Sequence, residues 1–313
     1  MHIFLVVLLY ATWSSCFSLG KLALQYSPPV FLTGIRMFLA GILLLAFLLF
    51  KNKNAFKLSL KQYSSLCLLG FFSVYLTNLF EYFGLQYLSA AKTCFIYSLS
   101  PFFTMLFSYL HFKEKLSLKK CIGLFIGFLG FIPVLKMQSG ADTLASSFLS
   151  ISLADLAIVG AAVFSVYGWV LLRLLLRTDI SPVMANGVSM TFGGSLALIH
   201  SLFIDNWNPW PVTEGKAAVF LQGLAIMILV YSIFCYNLYG YLLKKFTATF
   251  LSFAGLLSPI FASLNAWMIL GEPPSPIIFL STSIVSLGLW FVYQAELKQG
   301  YIKLTKAPNT LGV

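Results

Sequence analysis

Charged side chains are scarce: only 9% of residues are Asp, Glu, Lys or Arg, where soluble domains carry about 25%. Acidic residues are the rarer sign, nine against twenty basic ones. With 59% hydrophobic residues over 313 positions, one water-soluble core cannot hide the apolar surface, because core growth saturates near this length. Lipid must be the solvent for most of the chain. Cysteine is sparse as well. Cys16, Cys67, Cys94, Cys121 and Cys235 lie in apolar runs, with no CxxC pair and no Cys/His metal spacing, so they read as small buried residues. His2, His111 and His200 fall at expected helix ends without a second ligand in register and read as interfacial. No HExxH, P-loop, GxSxG or glycine-rich dinucleotide motif is present. ATP-driven transport by this chain alone therefore has no support, and no cofactor is expected. The twenty basic residues sit in short clusters rather than on one face, which suits membrane orientation and argues against nucleic acid.

What the sequence has in abundance is long apolar stretches. They recur near 2–24, 30–50, 62–86, 90–111, 118–137, 151–174, 182–203, 216–242, 247–270 and 276–296, each long enough to cross a hydrocarbon core of ~30 Å. No Lys or Arg precedes residues 3–11 and no A-x-A site follows them, so 2–24 is expected to be a retained first helix rather than a signal peptide. The longest connectors are 52–61, 138–150 and 204–215, and the tail from residue 298 is polar. Alternating the ten stretches across a bilayer puts fifteen Lys and Arg on one side and four on the other, with Arg36 inside a helix. The positive-inside rule then places both termini in the cytoplasm. The expected fold is an all-α membrane protein of ten transmembrane helices.

An internal repeat runs through it. Leu99-Ser100-Pro101-Phe102-Phe103 returns as Leu257-Ser258-Pro259-Ile260-Phe261, 158 positions on, and the same offset relates Ala90 to Ala248, Glu114 to Glu272 and Gly130 to Gly288. Each half holds five helices, and an odd number forces the second copy to enter the membrane upside down. Inverted-topology repeats are a recurring feature of secondary transporters, in which two interchangeable halves give outward-open and inward-open states of similar energy.

Ser100-Pro101 followed by Glu114, then Gly123, Gly127 and Gly130, resembles the EamA repeat, as does the copy from Ser258-Pro259 to Glu272 and Gly288; Pro29, Arg36 and Ala40 resemble that family's second helix. The resemblance covers about residues 2–297, with the first copy the better match. It implies two EamA repeats, 2–137 and 151–297, and a cytoplasmic tail over 298–313. It implies a ten-helix member of the drug/metabolite transporter superfamily, carrying small metabolites across a bacterial inner membrane without ATP. The expected partners are a small-molecule substrate and the bilayer, as a monomer or homodimer.

Several residues are candidates for the substrate site. Glu81 is the only carboxylate deep in an apolar stretch, where a charge costs ~2.5–3.5 kcal/mol and needs a cavity or a partner. Helical spacing puts Tyr75, Asn78 and Tyr82 on or beside its face. The same carboxylate near a helix end can instead snorkel to water. Arg36 suits a substrate carboxylate, or pairs with Glu81, or fixes its helix at the interface. Pro101 and Pro259 each remove a mid-helix hydrogen bond, which serves as a hinge or as a static bend. Trp13, Tyr97, Tyr167, Trp169, Tyr236 and Tyr239 lie where an aromatic wall can form, with Tyr236 at the repeat position of Asn78 and Asn237 beside it. Such a wall stacks on a flat ring or an onium cation, and each ring alone is also ordinary packing. Trp207 and Trp210 suit an outer interfacial belt. Glu114 and Glu272 read as caps or loop anchors. A membrane enzyme would need clustered ionisable groups, and Glu81 stands alone; a receptor or assembly factor would lack a traversable cavity. One Glu, one Arg and many aromatics favour a ring-bearing zwitterion or cation. Within the family this resembles carriers for amino acids and for S-adenosylmethionine and S-adenosylhomocysteine in host-dependent bacteria.

Overall fold

The computed structural model describes residues 2–112, 117–135, 151–178, 180–246, 251 and 254–298, and these contain helices and no strand. In chain order the helices are α1 (His2–Ala23), α2 (Pro29–Lys51), α3 (Leu60–Tyr87), α4 (Ala90–Tyr97), α5 (Ser100–Phe112), α6 (Leu118–Leu135), α7 (Leu153–Leu175), α8 (Pro182–Ile204), α9 (Ala217–Leu243), α10 (Ser258–Leu270) and α11 (Pro276–Lys298). Seven of the helices so described are long and apolar enough to cross a membrane: α1, α2, α3, α7, α8, α9 and α11. A 23-residue helix such as α2 runs about 35 Å.

Helix starts are written in serine and proline. Ser59, Ser89, Ser152 and Ser181 each accept a backbone N–H in the first turn of α3, α4, α7 and α8, and Pro29 and Pro182 open α2 and α8. An N-cap hydroxyl or a proline at the first turn removes donors that lipid could not satisfy. Gly271 closes α10 at φ 71°, letting its own N–H reach the Trp267 carbonyl and that of Glu272 reach Ala266, a left-handed stop that a side chain would strain.

Two stretches expected to be single helices are broken. The fourth divides at Ser98–Leu99 into α4 and α5. The ninth is described at Leu251 and from Ala254, where a short 3-10 turn, Gly255–Leu257, precedes α10. Pro101 and Pro259 thus occupy the first turn of α5 and α10, not a mid-helix position. Proline disfavours helix in the residue before it and tolerates a first turn, so the chain breaks where a bend was expected. Glu114, Ala248, the connector 138–150 and the tail beyond 298 lie outside the described residues, as do the side chains of His2 and His111.

Close backbone contact sets the frame. On α2 and α8, a Cβ at Gly41 would sit 2.4 Å from the Thr191 nitrogen, and one at Gly194 would sit 2.3 Å from that of Phe38. On α6 and α11, a Cβ at Gly288 would sit 2.5 Å from the Gly123 carbonyl. Small residues let membrane helices approach this closely. Elsewhere α1 packs on α10, and α4, α5 and α3 pack on α7. Polarity is inside out relative to a soluble protein. Phe50 and Phe203 are 92% and 82% exposed, while Arg36, Asn78, Lys92 and Asp155 are buried.

Candidate functional site

Between these helices lies a cavity with about 1030 Å³ of empty space, counting its open mouth. Its walls come from α1, α2, α3, the α4–α5 break, α7, α9 and the start of α10. The breaks supply a polar edge. Ser98 donates to the Phe95 carbonyl at 2.6 Å, Ser100 donates to that of Tyr97, and Thr104 to that of Ser100 at 2.9 Å. The Ser100 hydroxyl satisfies the Tyr97 carbonyl, which Pro101, four residues on and without an N–H, cannot. Ser258, 158 positions after Ser100, lines the cavity from the start of α10.

The third helix of each half shares a second irregularity. Residues Gly70–Leu76 of α3 and Met227–Cys235 of α9 are π-helical. Such stretches are rare and loosen the regular hydrogen-bond ladder. Directly after them come the cavity residues Asn78 and Glu81 on α3, and Tyr236 and Tyr239 on α9. Asn78 donates to the Val74 carbonyl at 2.8 Å, and Asn237 to that of Ile233 at 2.7 Å.

Arg36 is 2% exposed and lines the cavity. It donates to the side-chain Oδ1 of Asn78, lies 3.6 Å from the Cys16 sulfur, and stands over the Tyr82 ring at 5.2 Å from its centre. All three partners are neutral, and Nε has no hydrogen-bond partner. The expected alternative of an Arg36–Glu81 ion pair is absent. Among the described residues the Glu81 carboxylate forms no ion pair, though it faces the same cavity. A guanidinium whose direct contacts are all neutral can still take an anion, and the carboxylate lining the same cavity can take a cation.

Four rings touch in the same cavity. Trp13 and Trp169 lie 5.9 Å apart, Trp13 and Tyr236 5.2 Å, and Trp169 and Tyr239 4.3 Å. Those spacings are near or within contact range for aromatic pairs, so the rings form one continuous apolar wall. Tyr97 lines the cavity and meets Phe17 edge-on at 6.0 Å.

Of the expected site residues, Trp13, Arg36, Asn78, Glu81, Tyr97, Trp169, Tyr236 and Pro101 wall the cavity; Tyr75, Tyr82, Tyr167, Asn237 and Pro259 do not. Tyr75 hydrogen-bonds His200 at 3.0 Å. It lies in the π-helical stretch, where the angle per residue is smaller than the 100° assumed by helical spacing, and so it leaves the face of Asn78. Tyr82 stands behind Arg36. Tyr167, two residues from Trp169, points oppositely and meets Phe72 at 4.7 Å. Asn237 accepts from Asn186 of α8 at 3.1 Å. Sequence reasoning missed Cys16, because a cysteine in an apolar run reads as filler. It also passed over Ser100 and Ser258, whose signal was the repeated Ser-Pro pair. Trp207 donates to Ser201 at 3.2 Å and meets Phe31 edge-on.

The EamA-like transporter family matches this chain twice, over residues 1–135 and 152–294. An S-adenosylmethionine/S-adenosylhomocysteine transporter of Chlamydia muridarum (strain MoPn / Nigg) is 38% identical over 304 residues, covering 96% of this chain and 94% of that protein. Its namesake in Chlamydia trachomatis serovar D is likewise 38% identical, covering 96% and 92%. The uncharacterized inner membrane transporter YedA of Escherichia coli (strain K12) is 26% identical, covering 88% and 85%. A protein of known crystal structure, 16% identical, superposes with a TM-score of 0.65 over 95% of this chain and 96% of its own, which shows a shared fold. A double family match over nearly the whole length, with these relatives, makes the chain a multi-pass membrane protein of the EamA-like transporter family.

Proposed function

We propose that this transporter is a secondary carrier that exchanges S-adenosylmethionine and S-adenosylhomocysteine across a bacterial inner membrane by alternating access. The observation that carries the reading is the cavity itself. It offers an Arg36 whose contacts are neutral groups, a Glu81 in no ion pair and a four-ring wall. S-adenosylmethionine presents a sulfonium cation, an amino-acid group and a flat adenine, which suit Glu81, Arg36 and the aromatic wall respectively. The names of the Chlamydia relatives support the same substrates. The alternative within the family is an exporter of amino acids or drugs.

The reading includes ten spans in two inverted halves, 2–137 and 151–297, with both termini and the tail 298–313 in the cytoplasm, as a monomer or homodimer. Helix pairing supports it. The second helices of the halves, α2 and α8, pack on each other, and so do the fifth, α6 and α11. The first helix of each half packs on the fourth of the other, α1 on α10 and α7 on α4 and α5. A two-fold relation produces that exchange. The helix breaks at Ser100 and Ser258 support a midplane site, since carriers of this kind bind substrate at discontinuous helices, and Pro101 and Pro259 are the proposed hinges.

Uptake of labelled S-adenosylmethionine by cells expressing the chain tests the reading. Wild-type flux above the empty-vector level is expected, with Glu81→Gln near that level. Wild-type flux no higher than empty vector removes this substrate; labelled amino acids then test the alternative.

A further inference from the structure

We propose that two ion pairs latch one membrane face of the cavity shut, and that the protein opens to that face by breaking them; this rests on the carrier reading above. Lys21, in the last turn of α1, lies 3.0 Å from the Glu272 carboxylate, just beyond the Gly271 stop of α10. The same ammonium donates to the Leu88 carbonyl at 2.8 Å, where α3 ends. Four residues on, in the first turn of α4, Lys92 lies 3.1 Å from Asp155 in the first turn of α7. Both pairs therefore sit at the same end of the bundle. Each joins the first family-matched segment to the second, and each time the first supplies the lysine and the second the acid. The helices they tie, α1 to α10 and α4 to α7, all border the cavity.

Ion pairs suit a contact that must open. Burying two charges costs hydration that their attraction only roughly recovers, and when the halves part, water returns to both. An apolar seam would instead hold the face shut in proportion to its area. Neither pair is built for maximal strength. Glu272 uses one oxygen and leaves the other buried without a hydrogen bond. One Asp155 oxygen accepts from the Ser152 cap, and the other lies 3.1 Å from Lys92 without a hydrogen bond. The two differ in depth, with Lys21 and Glu272 26% and 28% exposed against 2% for each of Lys92 and Asp155. The first acts as a rim contact and the second as the inner bolt.

Cys16 and Cys94 line the cavity and serve as reporters. The full chain, expressed in cells and in inverted vesicles, is treated with a small membrane-impermeant methanethiosulfonate. Exposed Gln86→Cys, in a Cys16→Ser/Cys94→Ser background, identifies the face that carries the latch. From that face, Lys21→Gln/Glu272→Gln is expected to raise cavity labelling about 2- to 5-fold, and Lys92→Gln/Asp155→Asn about tenfold. Reversing the rim pair, Lys21→Glu/Glu272→Lys, returns the wild-type rate. Unchanged labelling in both neutral variants overturns the latch. So does equal acceleration from both faces, or a reversed pair that labels like the neutral one. Flux in the same cells separates the two ideas. Zero wild-type flux overturns the carrier reading and the latch as a transport step, whereas normal flux with unchanged labelling overturns the latch alone.

Discussion

The helices α3 and α9 are near twins in backbone and opposites in chemistry. They span 28 and 27 residues, each carries a π-helical stretch, and each sends two residues three apart, soon after that stretch, into the cavity. On α3 those positions are Asn78 and Glu81; 158 residues later they are Tyr236 and Tyr239. The shared irregularity shows that the backbone device is duplicated with the fold, while the side chains have been free to divide the labour. The proposed carrier would use the first pair for charge and the second for a ring.

The comparison can be broken most severely at the charged wall. Glu81→Gln or Arg36→Gln should lower S-adenosylmethionine uptake about 30-fold or more, since truncating one member of a desolvated charge contact costs ~2–5 kcal/mol. Transport rates normalised to membrane-inserted protein check this, and uptake within twofold of wild type in both variants contradicts the division. A subtler break is Asn78→Asp. It would give Arg36 a permanent counter-ion in place of a neutral amide, so about a tenfold loss of affinity is expected, measurable as a rise in KM with the protein still folded. On the apolar wall, Trp169→Leu or Tyr239→Leu should raise KM by about 2- to 10-fold, the scale of aromatic contacts. Competition by a free amino acid should be unchanged in these variants, and competition by a nucleoside weakened. Tyr75→Phe sets the baseline. Its hydroxyl engages His200 away from the cavity, and uptake should stay within about twofold, as for substitutions remote from a site.

Much of this arrangement was legible in the sequence, at the level of positions. The repeat offset related Asn78 to Tyr236 and Ser100 to Ser258, and the cost of burying Glu81 and Arg36 pointed to a polar hollow. Local geometry escaped. Nothing in Gly70–Leu76 or Met227–Cys235 announces a π-helical stretch, so a fixed 100° step carried Tyr75 onto the wrong face. Trp169 and Tyr167 could have been separated beforehand, because residues two apart on a helix point to opposite sides. The neutral surroundings of Arg36 depend on three helices meeting, α1 through Cys16 and α3 through Asn78 and Tyr82, and no local pattern encodes that. Lys21 and Lys92 are two of the four basic residues on the less basic side; their acid partners are distant in sequence and become visible only when the helices pack.

A cavity shared by both halves should carry the substrate in both directions, and counterflow in proteoliposomes shows whether it does. Vesicles loaded with unlabelled S-adenosylhomocysteine and diluted into labelled S-adenosylmethionine should take up label faster than unloaded ones, and this stimulation should vanish in Glu81→Gln. Label entry no faster than into protein-free vesicles, or trans-stimulation that persists undiminished in the variant, would contradict the account.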